Sequence, residues 1–315
     1  MAGKIATRGA YGKALVEFAE KYPELVVLDA DLAMATMTKD FRAAYPSRFF
    51  DCGIAENNMT GIAAGMAASG LKPFTNTFAI FAAGRSYEQI RNSIGYPHLN
   101  VKVVGSHGGV SVGEDGATHQ CTEDLALMRQ IPGMTVVCPC DGNEMRLAVE
   151  ALLNYDGPAY LRLARPATEI FTDELEGYQF ALGKGVTIAE GTDVTVIATG
   201  IMVGVARQAR ELLAGEGISV RVIDMHTIKP LDEALVLKAA RETGAIVTSE
   251  EASVLGGLGG AVAELLAENC PVPVVRHGVN DSFGRSGTAA AVLEYFGLTA
   301  EGLAEKCRKA IAMKK

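Results

Sequence analysis

The 315-residue sequence contains no run of basic residues, no apolar stretch near the roughly 18 residues a membrane span needs, and no apolar core of signal-peptide length behind Met1. Lysine and arginine number 29 against 37 aspartates and glutamates, a net charge of −8. An acidic chain of this kind has little with which to hold nucleic acid or an anionic membrane. The expectation is a soluble, cytoplasmic protein that binds neither.

Cysteine is scarce and scattered, at 52, 121, 138, 140, 270 and 307. A chain this long can bury a core without disulfide staples. The one close pair, Cys138-Pro139-Cys140, has a single intervening residue, which is not the usual zinc or thioredoxin spacing. It reads as small buried thiols at a strand end, and no metal-ligand set is expected in this chain. The phosphate motifs are missing too. Counting from Gly257 and Gly259, the third position of a dinucleotide loop holds Val262, and Gly183-Lys184 is followed by Gly185 with Tyr178 at the start of the window.

What is present is a 49% hydrophobic chain with 35 glycines, against about 22 at average usage of about 7%. Apolar runs of strand length alternate with helical patterns throughout. Strands are predicted at 24–29, 101–104, 135–138 and 159–163, with helices at 11–22, 123–129 and 143–153. A second cycle predicts strands at 193–198, 219–224, 245–249 and 272–276. Its helices are predicted at 203–214, 231–242 and 259–268, with a closing helix from Glu301. This alternation predicts an α/β protein of two doubly wound domains with mostly parallel sheets, binding ligands near the carboxyl ends of strands. Residues 169–190 lack clear periodicity and are expected to link domain 1–168 to domain 191–315.

Three segments carry chemistry. Glu56 enters a helix of small and apolar residues after Asp51-Cys52-Gly53-Ile54-Ala55, with Gly61 and Gly65 leaving a smooth face for close approach. Phe78 and Phe81 follow Phe74-Thr75-Asn76-Thr77. Then a glycine-rich loop after the strand ending near Val104 holds His107, Glu114, Asp115 and His119. The histidine spacing does not make a helical metal pair, and no thiol is local. Acid–base chemistry or sugar-hydroxyl binding suits this mixture better.

Together these segments resemble the second half of the transketolase family of thiamine diphosphate enzymes. The resemblance spans essentially the whole chain. Gly53-Ile54-Ala55-Glu56 resembles its catalytic-glutamate segment, residues 77–81 its aromatic pyrimidine cradle, and residues 113–120 its substrate loop. Residues 224–231 and 250–259 resemble its carboxyl-terminal domain. The resemblance implies a pyrimidine-binding domain followed by a transketolase carboxyl-terminal domain. It further implies that Glu56 hydrogen-bonds a pyrimidine nitrogen of thiamine diphosphate and favours the imino tautomer, that Phe78 and Phe81 stack on that ring, and that Asp31 lies near the thiazolium. Asp115 would read a sugar hydroxyl, His119 would assist proton transfer, and Arg8, His107 and Arg165 would bind the sugar phosphate.

Two positions depart from the family pattern. Gly84 stands where a third aromatic belongs, and Ala35 where a phosphate-binding serine belongs. A third feature is absent: Asp115, Asp141 and Asp156 precede glycines, but none follows one. The Gly-Asp-Gly diphosphate motif, and with it the ligands of Mg2+ or Ca2+, are therefore expected on a separate amino-terminal transketolase subunit. The expected assembly is a two-plus-two heterotetramer or a self-dimer, transferring a two-carbon ketol unit between sugar phosphates. Two related activities remain open: the beta subunit of a 2-oxo-acid dehydrogenase decarboxylase, and a deoxyxylulose-phosphate synthase-like enzyme.

Overall fold

A computed structural model describes residues 3–314. A seven-stranded sheet runs in the spatial order Thr227–Lys229, Thr135–Val137, Ala159–Arg162, Lys102–Ser106, Lys72–Phe78, Leu25–Asp29 and Phe49–Asp51. Every neighbouring pair is parallel except the first, which is antiparallel. Helices Thr7–Phe18 and Gly142–Asn154 cover one face through Tyr11, Leu15, Met145 and Val149. Helices Glu56–Ala68 and Asp124–Gln130 cover the other through Met59, Ala63, Leu125 and Met128. Both faces are dry, which explains why Leu25–Asp29 reads as an unbroken apolar run.

The second sheet has the order Val274–Val279, Ile246–Ser253, Val194–Ala198, Val220–Asp224 and Val186–Ala189, parallel except for its last pair. Helices Met202–Ala214 and Ala300–Ala312 pack on one side, and Glu233–Thr243 and Leu258–Asn269 on the other. The core of that second side is continuous with the core of the first domain, joining Ile197, Ile223 and Met225 to Val136 and Tyr160. The protein is thus a two-domain α/β fold of mostly parallel sheets.

Three elements depart from the sequence expectation. Lys72–Phe78 is a central strand that hydropathy hides, because Thr75, Asn76 and Thr77 are buried polar residues. Asn76 is satisfied there by the carbonyls of Leu28 and Phe74 and by the Tyr11 hydroxyl. The expected linker is not bare loop: it contributes Val186–Ala189 to the second sheet, after the two-stranded pairing of Ala167–Glu169 with Lys4–Ala6. Finally, Thr227–Lys229 follows the second sheet's strand Val220–Asp224 in sequence yet closes the edge of the first sheet. The two domains therefore share a strand.

Buried charge joins them as well. Arg162, 5% exposed, donates to Asp124, to the carbonyl of Cys121 and to the carbonyl of Glu251 in the second domain. Asp124 also accepts from the Tyr160 hydroxyl. Removing one partner of a buried ion pair strands the other, a cost of about 3–5 kcal/mol. Asp124→Ala should lower the free energy of urea unfolding by that order; an unchanged unfolding midpoint would mean that Arg162 has found another counter-charge.

Candidate active site

The loops after the carboxyl ends of four parallel strands converge, where the switch-point rule for such sheets places ligands. Asp51, at the end of its strand, shapes two of them. Its Oδ1 accepts from the backbone N–H groups of Asp31 (3.2 Å) and Gly53 (3.0 Å). Asp29 fixes the loop that follows it by accepting from Leu32 N–H, Thr36 and Thr38. Burial pushes the Asp29 carboxyl up to about 6 against those hydrogen bonds. The strand that ends at Asp51 leads into helix Glu56–Ala68, whose first residue is 3% exposed.

Glu56 does not stand alone. Its Oε1 accepts from Arg85 at 2.8 Å, and the Arg85 guanidinium lies 4.5 Å over the Phe81 ring. Phe81 and Arg85 share a π-helical turn, Ile80–Arg85, a widened geometry that recurs at functional sites. Phe81 is parallel to Phe78 at 6.0 Å and 8°. Phe78 in turn lies 4.1 Å from the His107 ring. His119 meets both phenylalanines edge-on, at 5.5 and 6.1 Å, with its Nδ1 on the Thr118 hydroxyl.

His107 adopts a φ of 60°, a left-handed conformation uncommon outside glycine. Its Nδ1 contacts the Ser106 hydroxyl at 2.8 Å, and its Nε2 faces Arg8 at 3.5 Å. A guanidinium only donates, so Nε2 is the acceptor and Nδ1 carries the hydrogen toward Ser106. Burial, then the charges of Arg8 and Arg165, push His107 down to about 3. It is a neutral imidazole. Arg8 is itself lowered, by burial first and then by Arg165. Two cations held beside a neutral, buried histidine form a place suited to an anion.

The loop carrying both histidines is held from the second domain. The Glu251 carboxylate accepts from Ser111 N–H and sits where a side chain on Gly109 would be. The Gln120 amide donates to the carbonyls of Val110 and Arg285 and accepts from Arg285 N–H. Arg165 donates to Glu114 and to the carbonyl of Val112.

The structure thus brings together Glu56, Phe78, Phe81, His107, His119 and Arg8, with Arg165 against the same loop. Asp31 and Asp115 are exposed and stay out of this contact chain. Asp31 has a φ of 62° and engages through its backbone, and the Asp115 carboxylate has no hydrogen-bond partner among the described residues. Sequence reasoning missed Arg85, Asp29 and the prop role of Glu251. Arg85 lies one residue past the missing aromatic at Gly84, so its guanidinium covers the ring beside the gap. At Ala35 the backbone carbonyl, not a hydroxyl, holds Arg8 at 2.8 Å.

The family model of the transketolase pyrimidine binding domain matches residues 3–169, and that of the transketolase C-terminal domain matches 183–303. The chain belongs to the transketolase family. A 6-deoxy-6-sulfo-D-fructose transketolase subunit of Clostridium sp. (strain MSTE9) is 50% identical over 295 residues, covering 93% of this chain and 91% of that one. One of the subunits of an apulose-4-phosphate transketolase, from Phocaeicola vulgatus, is 41% identical over 308 residues, covering 98% and 97%. The solved structure of a split gene transketolase, described as an inactive beta4 tetramer, superposes with a TM-score of 0.90 at 50% identity, covering 99% of this chain and all of that chain. Transketolase-family membership carries with it dependence on thiamine diphosphate.

The protonation state of His107 has a consequence for stability. Its ordinary value is 6.5 and its folded value about 3, so between these the unfolded chain binds a proton that the native histidine refuses. Stability from this group is complete above pH 6.5 and falls as pH drops, on the order of 3 kcal/mol by pH 4. His107→Asn should flatten the loss of urea stability between pH 7 and pH 4; an identical slope in both proteins would show that His107 is protonated in the native state.

Proposed function

We propose that this chain is the pyrimidine-binding half of a two-chain, thiamine diphosphate-dependent transketolase that moves a two-carbon ketol unit between sugars bearing a terminal anion. The observation that carries the reading is the unbroken contact path from buried Glu56 through Arg85, Phe81 and Phe78 to His107 and Arg8. It joins a carboxylate and a pair of parallel rings to an anion pocket, which is what the pyrimidine end of the cofactor and the far end of a sugar require.

The residues fit that half of the cofactor. Glu56 would hold a proton at a pyrimidine nitrogen, and Phe78 and Phe81 would set the plane of the ring. The cofactor, when bound, supplies the carbon nucleophile that takes up the two-carbon unit. His119, edge-on to both rings, is within the same cluster and would move protons at the reacting carbons. His107, neutral and fixed in tautomer, would accept at Nε2 from a sugar hydroxyl when Arg8 turns to the anion. Arg8 lies in the field of Arg165, which is paired to Glu114 in the free chain, so a phosphate or sulfonate would take up Arg8 and compete with Glu114 for Arg165. Relatives named for a sulfonated and a phosphorylated sugar support the choice of a terminal anion as substrate class.

The diphosphate and its metal have no Gly-Asp-Gly motif to bind in this sequence. We assign them to an amino-terminal partner subunit, in keeping with the names of the relatives and the split-gene neighbour. Helix Glu56–Ala68 leaves Gly61, Ile62 and Gly65 uncovered beside Ile54, which is 76% exposed. That open face suits the contact. The assembly assigned on this reading is a two-plus-two heterotetramer.

In the assembled complex, Glu56→Gln should lower turnover by about 10²–10⁴, the span of a lost acid–base group. Unchanged turnover would reduce the chain to a scaffold. Arg8→Ala and Arg165→Ala should each raise KM for a ketose phosphate or sulfonate about tenfold to a hundredfold, with little effect on a neutral ketose. Equal losses on both substrates, or carbon dioxide release from pyruvate as the main activity, would contradict the assignment.

A further inference from the structure

A second cluster of reactive groups lies buried where the two domains meet. Cys140 follows strand Thr135–Val137, Glu144 lies in the first turn of helix Gly142–Asn154, and Asp224 ends strand Val220–Asp224 of the second sheet. All three are at most 1% exposed, and one ligand atom from each lies within 4.8 Å of the others. Neither oxygen of Asp224 has a hydrogen-bond partner among the described residues. Among the described residues, no lysine or arginine forms an ion pair with Glu144 or Asp224, and the other nearby carboxylate, Asp141, is occupied as a helix cap and by Phe171 and Thr172.

A group of this kind must be neutralised, by protons or by a cation. Burying an ionised carboxylate without a partner is costly, and here two carboxyl groups and a thiol share one dry space. Glu144 is already oriented by outer partners: Cys140 N–H donates to Oε2 at 2.6 Å, and the Tyr178 hydroxyl donates to Oε1. Such orientation is what supporting contacts do for a metal ligand. A cleft of about 380 Å³ between the domains reaches the cluster at Cys140, which lines it together with Thr168, Phe171, Ile201 and Arg207, while Glu144 and Asp224 lie behind.

We propose that Cys140, Glu144 and Asp224 form a binding site for a divalent cation of the zinc class. Sulfur with two carboxylate oxygens selects a borderline-soft ion over Mg2+ or Ca2+, which prefer oxygen alone. On binding, the Cys140 thiol proton and any carboxyl proton pass to solvent, and the cation takes over their charge-balancing role. The ligands come from both domains, so the bound ion would clamp the end of Val220–Asp224 to the amino-terminal end of helix Gly142–Asn154. Without the ion, burial and the adjacent Glu144 push the Asp224 carboxyl well up, so that it keeps a proton.

The test uses the tag-free full-length chain, stripped with a chelator and titrated with Co2+ or Zn2+. One equivalent of Co2+ per chain should bind with a thiolate-to-cobalt charge-transfer band, and Zn2+ should raise the thermal midpoint by several degrees. Cys140→Ser should abolish the band and Asp224→Asn should weaken uptake at least tenfold, while Cys270→Ser behaves as the unaltered chain. No saturable uptake at one equivalent overturns the proposal and leaves a proton shared by Glu144 and Asp224. Uptake that survives Cys140→Ser overturns it equally. Both replacements conserve size, and if neither folds, the titration of the unaltered chain decides alone.

Discussion

Arg162 and Glu251 hold the site in shape. Arg162 stands on a central strand of the first sheet and reaches the carbonyls of Cys121 and Glu251 while paired to Asp124. Glu251 sends its carboxylate the other way, to Ser111 N–H, under a glycine that leaves it room. Between them these two charged side chains fix both ends of the loop that carries His107 and His119. Burial pushes the Glu251 carboxyl up, while Arg162 and the Ser111 hydrogen bond oppose that shift. Its neighbour Glu250, raised by burial to about 7, accepts from the first N–H groups of helix Leu258–Asn269. Two consecutive glutamates thus tie the second domain to the loop that carries His107 and His119 and to its own helix. The second domain is a structural support for that loop, although it contributes no residue to the contact path from Glu56 to Arg8.

Much of this was legible in the sequence, for physical reasons that can be named. Strands buried on both faces, such as Leu25–Asp29 and Val194–Ala198, have little polar alternation to obscure them. Glu56, Phe78, Phe81, His107 and His119 lie on local segments whose order and spacing survive as a pattern. What was hidden depends on contacts distant in sequence. Lys72–Phe78 contains Thr75, Asn76 and Thr77 in a dry interior, where Asn76 finds its partners, and hydropathy cannot show partners. Thr227–Lys229 reads as part of the second domain, and only its pairing with Thr135–Val137 shows that it belongs to the first sheet. Arg85 became visible through its position over Phe81 and on Glu56, a relation across 29 residues that no local motif encodes.

On the proposed function, the arrangement also gives a physical reason why a chain with candidate acid, base and anion-binding groups would be half of a site. Glu56 and the two phenylalanines are laid along the carboxyl edge of one sheet, beside a helix whose small residues remain open. Arg85 meanwhile occupies the Glu56 carboxylate, so the charge at the heart of the pocket is balanced until something else takes its place. A partner surface that covers the helix and delivers a diphosphate site would complete the enclosure and exclude water from Arg85, which is half-exposed above buried Glu56.

The claim that this chain supplies one half of a shared cofactor site is tested most directly by calorimetric titration of thiamine diphosphate and Mg2+ into three samples: this chain, its amino-terminal partner, and the two together. The account predicts saturable binding of one cofactor per pair of chains in the mixture, with at most weak binding to either chain alone. Binding to this chain alone with the affinity of the mixture would contradict it.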